Sequence, residues 1–238
     1  MHRFRLLLVL ALASAANLYA AGIAAADAPA NPAYILVTGF EPFGGDKTNG
    51  SWEAVRHLQG KQFPSGTVVV SELPVVWDKA GQELRGLILK YHPRAVIAFG
   101  QAGAEPVRLE LIAHNVTQRY PDNRGALPPQ PVISATGPAS AKTALDVDSI
   151  AKALGVAGIP VVKSSDAGGY LCNETFFVLM SDPGPAWALA MPRGFVHVPP
   201  LDAVVTTADG KRTVFDQKTL AAAADAVVAS VAGSLPAK

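Results

Sequence analysis

Short apolar segments alternate with segments of helical periodicity along most of this chain. This alternation is typical of α/β proteins, in which helices cover both faces of a largely parallel sheet. We therefore predict a three-layer α/β/α sandwich with a largely parallel (mixed) central sheet. Half of the 238 residues are hydrophobic and 16% are charged, which suits a sizeable core. The predicted strands are 34–37, 68–76, 95–99, 108–116, 159–162 and 194–198. The predicted helices are 51–58, 78–91, 146–154, an amphipathic helix after Cys172, and 216–234.

The N-terminus has the features of a secretory signal peptide. Arg3 and Arg5 precede an apolar run over 6–16, and an Ala-x-Ala site over 24–26 precedes Asp27. The run is shorter than the ~20 residues that span a membrane. We predict that residues 1–26 are removed and that 27–238 form one exported domain, periplasmic or secreted; an uncleaved anchor is the alternative. The net charge of +1 gives no electrostatic case for binding nucleic acid or anionic membranes.

Cys172 is the only cysteine of the chain and follows a glycine-rich turn between a predicted strand and a predicted helix. The positive end of a helix dipole lowers the pKa of a thiol in the first turn, which favours the nucleophilic thiolate. A free thiol is a liability in an oxidising compartment, so its presence there favours a chemical role. The alternative is a small buried residue.

A thiolate nucleophile needs a base, and the base needs an orienting group. Of the five histidines, only His114 and His197 lie on predicted strands. Glu110 and His114 share one face of the predicted strand 108–116, but four residues of strand separate them by roughly 13 Å. A histidine from another strand, such as His197, can meet Glu110 directly.

The turn after the first strand carries glycines and two phenylalanines. Gly39 and Gly44 have the spacing of a phosphate-binding loop, but that motif needs Lys directly after the second glycine. Here two residues separate Gly44 from Lys47. Nucleotide binding is therefore not expected. Phe40 and Phe43 instead indicate an apolar wall around a small ligand, or a turn that they fasten to the core. Parallel sheets carry sites at the carboxyl ends of strands, where we place this turn, the Cys172 turn and the turn at 199–200.

Taken together, the motifs resemble the pyroglutamyl peptidase I (pyrrolidone-carboxylate peptidase) family of cysteine peptidases. The resemblance extends from about Tyr34 to the C-terminal helix. The segments that carry it are 37–45, Asn49 with 51–55, 73–75, 100–103, Glu110 with 113 and 115, 119–125, Ser165 with 167–168, 171–173 and 195–199.

The resemblance implies removal of an N-terminal pyroglutamyl residue through a Glu110–Cys172–His197 triad. Cys172 attacks the carbonyl, His197 holds the thiolate as an ion pair and then protonates the leaving amine, and Glu110 orients the imidazolium. No metal or organic cofactor is implied. Family members are commonly homotetramers, so a homo-oligomer is expected. The implied substrate-binding residues are Phe40, Phe43, Asn49, Gln101, Arg119, Tyr120, Tyr170 and Leu171.

Some positions depart from the family pattern. Gly50 replaces a usual proline, Thr117-Gln118 replaces an acidic pair, and Tyr120 stands where isoleucine is common. These departures keep two alternatives open. One is an exported cysteine amidase or thioesterase with a different pocket on the same scaffold, and the other is a non-catalytic binding homologue.

Overall fold

A seven-stranded sheet organises residues 33–237, the part of the chain that this computed structural model describes. The predicted signal peptide and its cleavage site lie outside the described residues. In chain order the elements are β1 (Tyr34–Phe40), α1 (Gly50–Val55), β2 (Gln62–Phe63), β3 (Gly66–Leu73), α2 (Lys79–Tyr91), β4 (Ala95–Gln101), β5 (Val107–Glu110), β6 (Ile112–His114), β7 (Ser140–Lys142), α3 (Val147–Val156), β8 (Val161–Ser164), α4 (Leu171–Ser181), β9 (Arg193–Val198), β10 (Ala203–Thr206), β11 (Arg212–Phe215) and α5 (Gln217–Ser234). Single 3₁₀ turns occupy Arg56–Leu58 and Ala186–Ala190.

The strand order of the sheet is β2-β3-β1-β4-β9-β5-β8. Strands β3, β1, β4 and β9 are parallel, whereas β5 runs antiparallel to β9 and parallel to β8. The predicted mixed, largely parallel α/β sheet is confirmed. One detail was wrong: β8 points opposite to β1, β4 and β9, so the turn before Cys172 does not follow the carboxyl edge that those three strands share.

Apolar side chains alternate between the two faces of the sheet, as the period of a strand requires. Ile35 and Val37 pack with α1, α3 and α5 on one face, and Leu36 packs with α2 and α4 on the other. This arrangement is the predicted three-layer sandwich. Within residues 33–237, no helix combines the length and the apolar character that a membrane crossing needs.

Several local predictions were wrong, each because tertiary contacts changed the outcome. The predicted strand 108–116 breaks at Leu111 into β5 and β6, which belong to different sheets. Helix α4 is not amphipathic, because nearly all of its residues are buried. Asp78 precedes α2 in a left-handed conformation (φ 62°) and makes no side-chain cap. The sequence also gave no indication of β2, β7 or the β10–β11 hairpin.

Candidate active site

A cavity of about 250 Å³ opens where β1, β4 and β9 end. Its walls combine aromatic side chains with Cys172 and with a few polar groups. Eight of the residues singled out from the sequence line it: Phe40, Phe43, Asn49, Gln101, Tyr170, Leu171, Cys172 and His197. Other lining residues are Val75, Ala102, Gly103, Arg108 and Ala167.

Cys172 lies in the first turn of α4, pressed against β4 at Gly100. A Cβ atom at Gly100 would come within 2.8 Å of the Cys172 Sγ and 2.7 Å of the Phe195 ring, so only glycine admits the thiol here. Gly100 is also the parallel register partner of His197. The thiol and the imidazole therefore approach the sheet at the same point.

Glu110 and His197 form a buried pair across β5 and β9. The Glu110 Oε1 lies 2.7 Å from the His197 Nδ1, and the two side chains are 0% and 3% exposed. Contact with a carboxylate at this distance favours the tautomer in which Nδ1 donates. The Nε2 atom is then the ring nitrogen available to the cavity that Cys172 lines.

His114 lies elsewhere, on β6. Its Nε2 is 2.9 Å from the Ser165 carbonyl oxygen. Its backbone N–H donates to the Asn173 Oδ1 at 2.9 Å, and the Asn173 amide donates to the carbonyls of His114 and Val116 at 2.8 and 3.0 Å. Asn173 thus fastens the start of α4 to β6, and the structure places His197 rather than His114 against Glu110.

Arg108 is a site residue that the sequence analysis missed. Its Nε donates to the Glu110 Oε1 at 3.1 Å, one guanidinium nitrogen lies 3.4 Å from the His197 Nδ1, and the other donates to Glu105 at 3.0 Å. Arg108 faces His197 in the antiparallel β5–β9 register. The period of two along β5 could have paired it with Glu110, but the register against β9 is not visible in the sequence.

Burial sets the protonation of the two central groups. It raises the pKa of the Cys172 thiol to about 12, with the Glu110 charge adding to the rise and Arg108 opposing it. Burial also lowers the pKa of His197 from 6.5, against the opposing effect of Glu110. The predicted lowering of the thiol pKa by the helix dipole was therefore wrong, because desolvation outweighs it. Both shifts favour the neutral thiol and the neutral imidazole over the charged pair.

The glycine-rich turn is held by its own hydrogen bonds. The Phe40 N–H donates to the Ser51 Oγ at 3.0 Å, and this hydroxyl donates to the Asn49 Oδ1 at 2.7 Å. The Asn49 Nδ2 donates to the Glu41 carbonyl at 2.9 Å, and Gln101 Oε1 accepts the Gly50 N–H at 2.5 Å. Asn49 therefore shapes the turn and, by accepting the Ser51 N–H at 2.9 Å, caps α1, although it borders the cavity. The Gln101 Nε2 donates to no group within residues 33–237.

Two predicted substrate-binding residues are not brought into this cavity. Arg119 is exposed and lines neither this cavity nor the one beside it. Tyr120 is 56% exposed and lines the neighbouring cavity. The backbone explains both positions, since the Gln118 N–H donates to the Gly169 carbonyl at 2.7 Å and the Trp77 indole N–H donates to the Tyr120 carbonyl at 3.0 Å.

Comparison with known proteins identifies the family that carries this arrangement. The family model described as pyroglutamyl peptidase matches residues 33–232. The chain belongs to the pyroglutamyl peptidase family. The resemblance drawn from the sequence is thereby confirmed, and the cavity that contains Cys172 is the candidate active site of a family of cysteine peptidases.

Relatives of the pyroglutamyl peptidase family match most of the chain. The pyrrolidone-carboxylate peptidase of Pseudomonas fluorescens (strain SBW25) is 39% identical over 175 residues, which are 72% of this chain and 81% of the relative. The crystal structure of pyroglutamyl peptidase I from Bacillus amyloliquefaciens has a TM-score of 0.75 at 32% identity. The match covers 84% of this chain and 97% of the chain in that structure. The structure of a mutant pyrrolidone carboxyl peptidase from Pyrococcus furiosus has a TM-score of 0.75 at 28% identity. The match covers 85% of this chain and 100% of that one.

Proposed function

We propose that this protein is a cysteine exopeptidase that removes an N-terminal pyroglutamyl (5-oxoprolyl) residue from peptides. The observation that carries the proposal is the buried Glu110–His197 pair beside Cys172, in a cavity walled by Phe40 and Phe43. The relatives named pyrrolidone-carboxylate peptidase support the same activity.

Cys172 and His197 together perform the first chemical step. As Sγ of Cys172 attacks the carbonyl carbon of the pyroglutamyl residue, Nε2 of His197 takes the thiol proton. The buried Glu110 carboxylate stabilises the resulting imidazolium through Nδ1. His197 acts as a general base in this step, whereas the family resemblance implies a thiolate–imidazolium pair that forms before the attack; in both cases the proton moves from Sγ of Cys172 to Nε2 of His197.

The first turn of α4 supplies hydrogen-bond donors for the developing oxyanion. The N–H groups of Leu171, Cys172 and Asn173 have no intrahelical partners, because the first such bond runs from the Glu174 N–H to the Tyr170 carbonyl. Donors aimed at the forming negative charge stabilise the tetrahedral intermediate. His197 then protonates the leaving amine, and water, deprotonated by His197, hydrolyses the thioester to release pyroglutamate.

The apolar walls favour a neutral ring over a charged side chain. A glutamyl residue would bring a charge between Phe40 and Phe43, and an unpaired buried charge is costly. A prolyl residue lacks the ring carbonyl that the Gln101 Nε2 could bind. Pyroglutamyl amides should therefore be cleaved, while glutamyl, glutaminyl and prolyl amides should be poor substrates.

Purified protein assayed with fluorogenic amides of these four residues tests the proposal. We expect turnover of the pyroglutamyl amide and little turnover of the other three. Comparable rates on all four substrates would favour a broader amidase, and the absence of turnover on every one would favour a binding homologue.

We also propose that the protein is exported after removal of residues 1–26. The proposal rests on the basic start, the apolar run over 6–16 and the Ala-x-Ala site before Asp27. N-terminal sequencing of protein from the native host should give a start near Asp27. Soluble protein that retains Met1 in the cytoplasm would contradict it.

A further inference from the structure

A second cavity, of about 480 Å³, lies directly beside the catalytic one. Phe43 and Tyr170 line both cavities, whereas Tyr120 and Pro121 line only the second. Tyr120 is 56% exposed, so a large part of its ring is free to contact a ligand. The two cavities are therefore adjoining spaces with shared aromatic walls.

The aromatic walls are held in place before any ligand arrives. The Tyr170 ring packs edge-on against Tyr120 and Trp77, with centroids 6.3 and 5.4 Å apart, and lies 6.1 Å from Phe43. The Tyr170 hydroxyl donates to the Pro121 carbonyl at 2.9 Å. A wall with few free rotamers loses little entropy when a ligand packs on it.

The acidic group of the second cavity, Asp122, is engaged by backbone N–H groups of the protein. The Asp122 Oδ1 accepts the backbone N–H groups of Arg124 and Ala126 at 2.8 and 2.9 Å, and its Oδ2 accepts the backbone N–H of Trp77 at 3.1 Å. The Asn123 amide nitrogen likewise donates inside the protein, to Glu41 and Pro42. The surface left for a ligand is thus mainly aromatic.

We propose that this second cavity is the subsite for the residue that follows pyroglutamate, and that it favours an aromatic or large aliphatic side chain. The inference rests on the proposed function. The cavity of about 250 Å³ that contains Cys172 receives the pyroglutamyl ring, and the peptide beyond the scissile bond leaves it past the shared walls, Phe43 and Tyr170. Tyr120 is then a specificity residue for the leaving peptide, and not a wall of the ring pocket.

Steady-state kinetics with pyroglutamyl-phenylalanine amide and pyroglutamyl-alanine amide test this subsite. The native protein should cleave the phenylalanine substrate with a kcat/KM about tenfold higher, as expected for one aromatic contact plus buried area. Tyr120→Ala should remove most of that preference by lowering kcat/KM for the phenylalanine substrate far more than for the alanine substrate. Tyr120→Phe should retain it.

Leu127→Ala is the matched control, because Leu127 lies in the same loop, is 42% exposed and lines neither cavity. It should leave both substrates unaffected. Equal kcat/KM for the two substrates in the native protein would overturn the subsite while the proposed function stands. An equal loss on both substrates in Tyr120→Ala would overturn it too, and would return Tyr120 to the ring pocket. No turnover of either substrate would overturn the subsite together with the proposed function.

Discussion

Replacing Glu174 by glutamine should remove a pH-dependent loss of stability. Glu174 lies on α4, two residues after Cys172, and is only 3% exposed. Its Oε1 accepts the Asp78 N–H at 2.8 Å, while its Oε2 is buried with no hydrogen-bond partner among residues 33–237. Burial raises the pKa of this carboxyl from 4.5 to about 7. The folded protein therefore holds Glu174 protonated under conditions in which the unfolded chain ionises it.

The contribution of Glu174 to the free energy of unfolding depends on pH because its pKa differs between the folded and unfolded states. Because the pKa of Glu174 is higher in the folded state, its favourable contribution is complete below about pH 4.5 and is lost as the pH rises through 7. At about 1.4 kcal/mol per pH unit, the loss amounts to roughly 3 kcal/mol. Glutamine keeps an acceptor for the Asp78 N–H and cannot ionise, so the variant escapes this loss.

Urea unfolding at pH 4, 6 and 8 measures the effect. The free energy of unfolding of Glu174→Gln, relative to the native protein, should rise by roughly 3 kcal/mol from pH 4 to pH 8. Glu83→Gln, an exposed substitution on the neighbouring helix α2, serves as the control and should show a flat difference. A flat difference for Glu174→Gln, or the same rise in both variants, would show that ionisation of Glu174 does not cause the loss of stability.

The remaining predictions concern the catalytic groups. His197→Ala should lower kcat at least ~100-fold, as for a lost general acid–base group, while His114→Ala should mainly lower the melting temperature. Loss of activity in well-folded His114→Ala, with His197→Ala active, would contradict the assignment. In a profile of kcat/KM against pH, the acid limb should lie below 6.5, because burial lowers the pKa of His197. Arg108→Gln should move both limbs to higher pH, because the lost cation had disfavoured the imidazolium and favoured the thiolate. An unchanged profile would show that Arg108 does not set these charges.

The central sheet was predictable because its signal is local. Buried strands such as β1 and β4 are continuous apolar runs, and the amphipathic helices between them show helical spacing. The break at Leu111 was not predictable, since long-range contacts cause it. The Leu111 N–H donates to the Ser164 carbonyl at 2.7 Å, and its carbonyl accepts the Thr143 N–H at 2.9 Å. These bonds turn the chain from one sheet to another without a glycine or proline to mark the place.

The candidate site was predictable only in part, for a similar reason. The resemblance to the family pointed to Cys172 and Glu110, and geometry brings His197 to Glu110 as expected. The rise in the pKa of the Cys172 thiol was not predictable, because its desolvation depends on every element that covers the thiol and not on the residues near it in sequence. Arg108 was missed because its place opposite His197 depends on the antiparallel register of β5 and β9.

Turnover of a fluorogenic pyroglutamyl amide by native protein and by Cys172→Ala, purified side by side, tests whether Cys172 is the nucleophile of a pyroglutamyl peptidase. We expect steady release of the fluorophore by the native protein and none by the folded variant. Iodoacetamide should abolish native activity in step with alkylation of Cys172, which mass spectrometry reports without ambiguity because the chain has one cysteine. Full turnover by Cys172→Ala, or by completely alkylated protein, would contradict the role of Cys172 as the nucleophile.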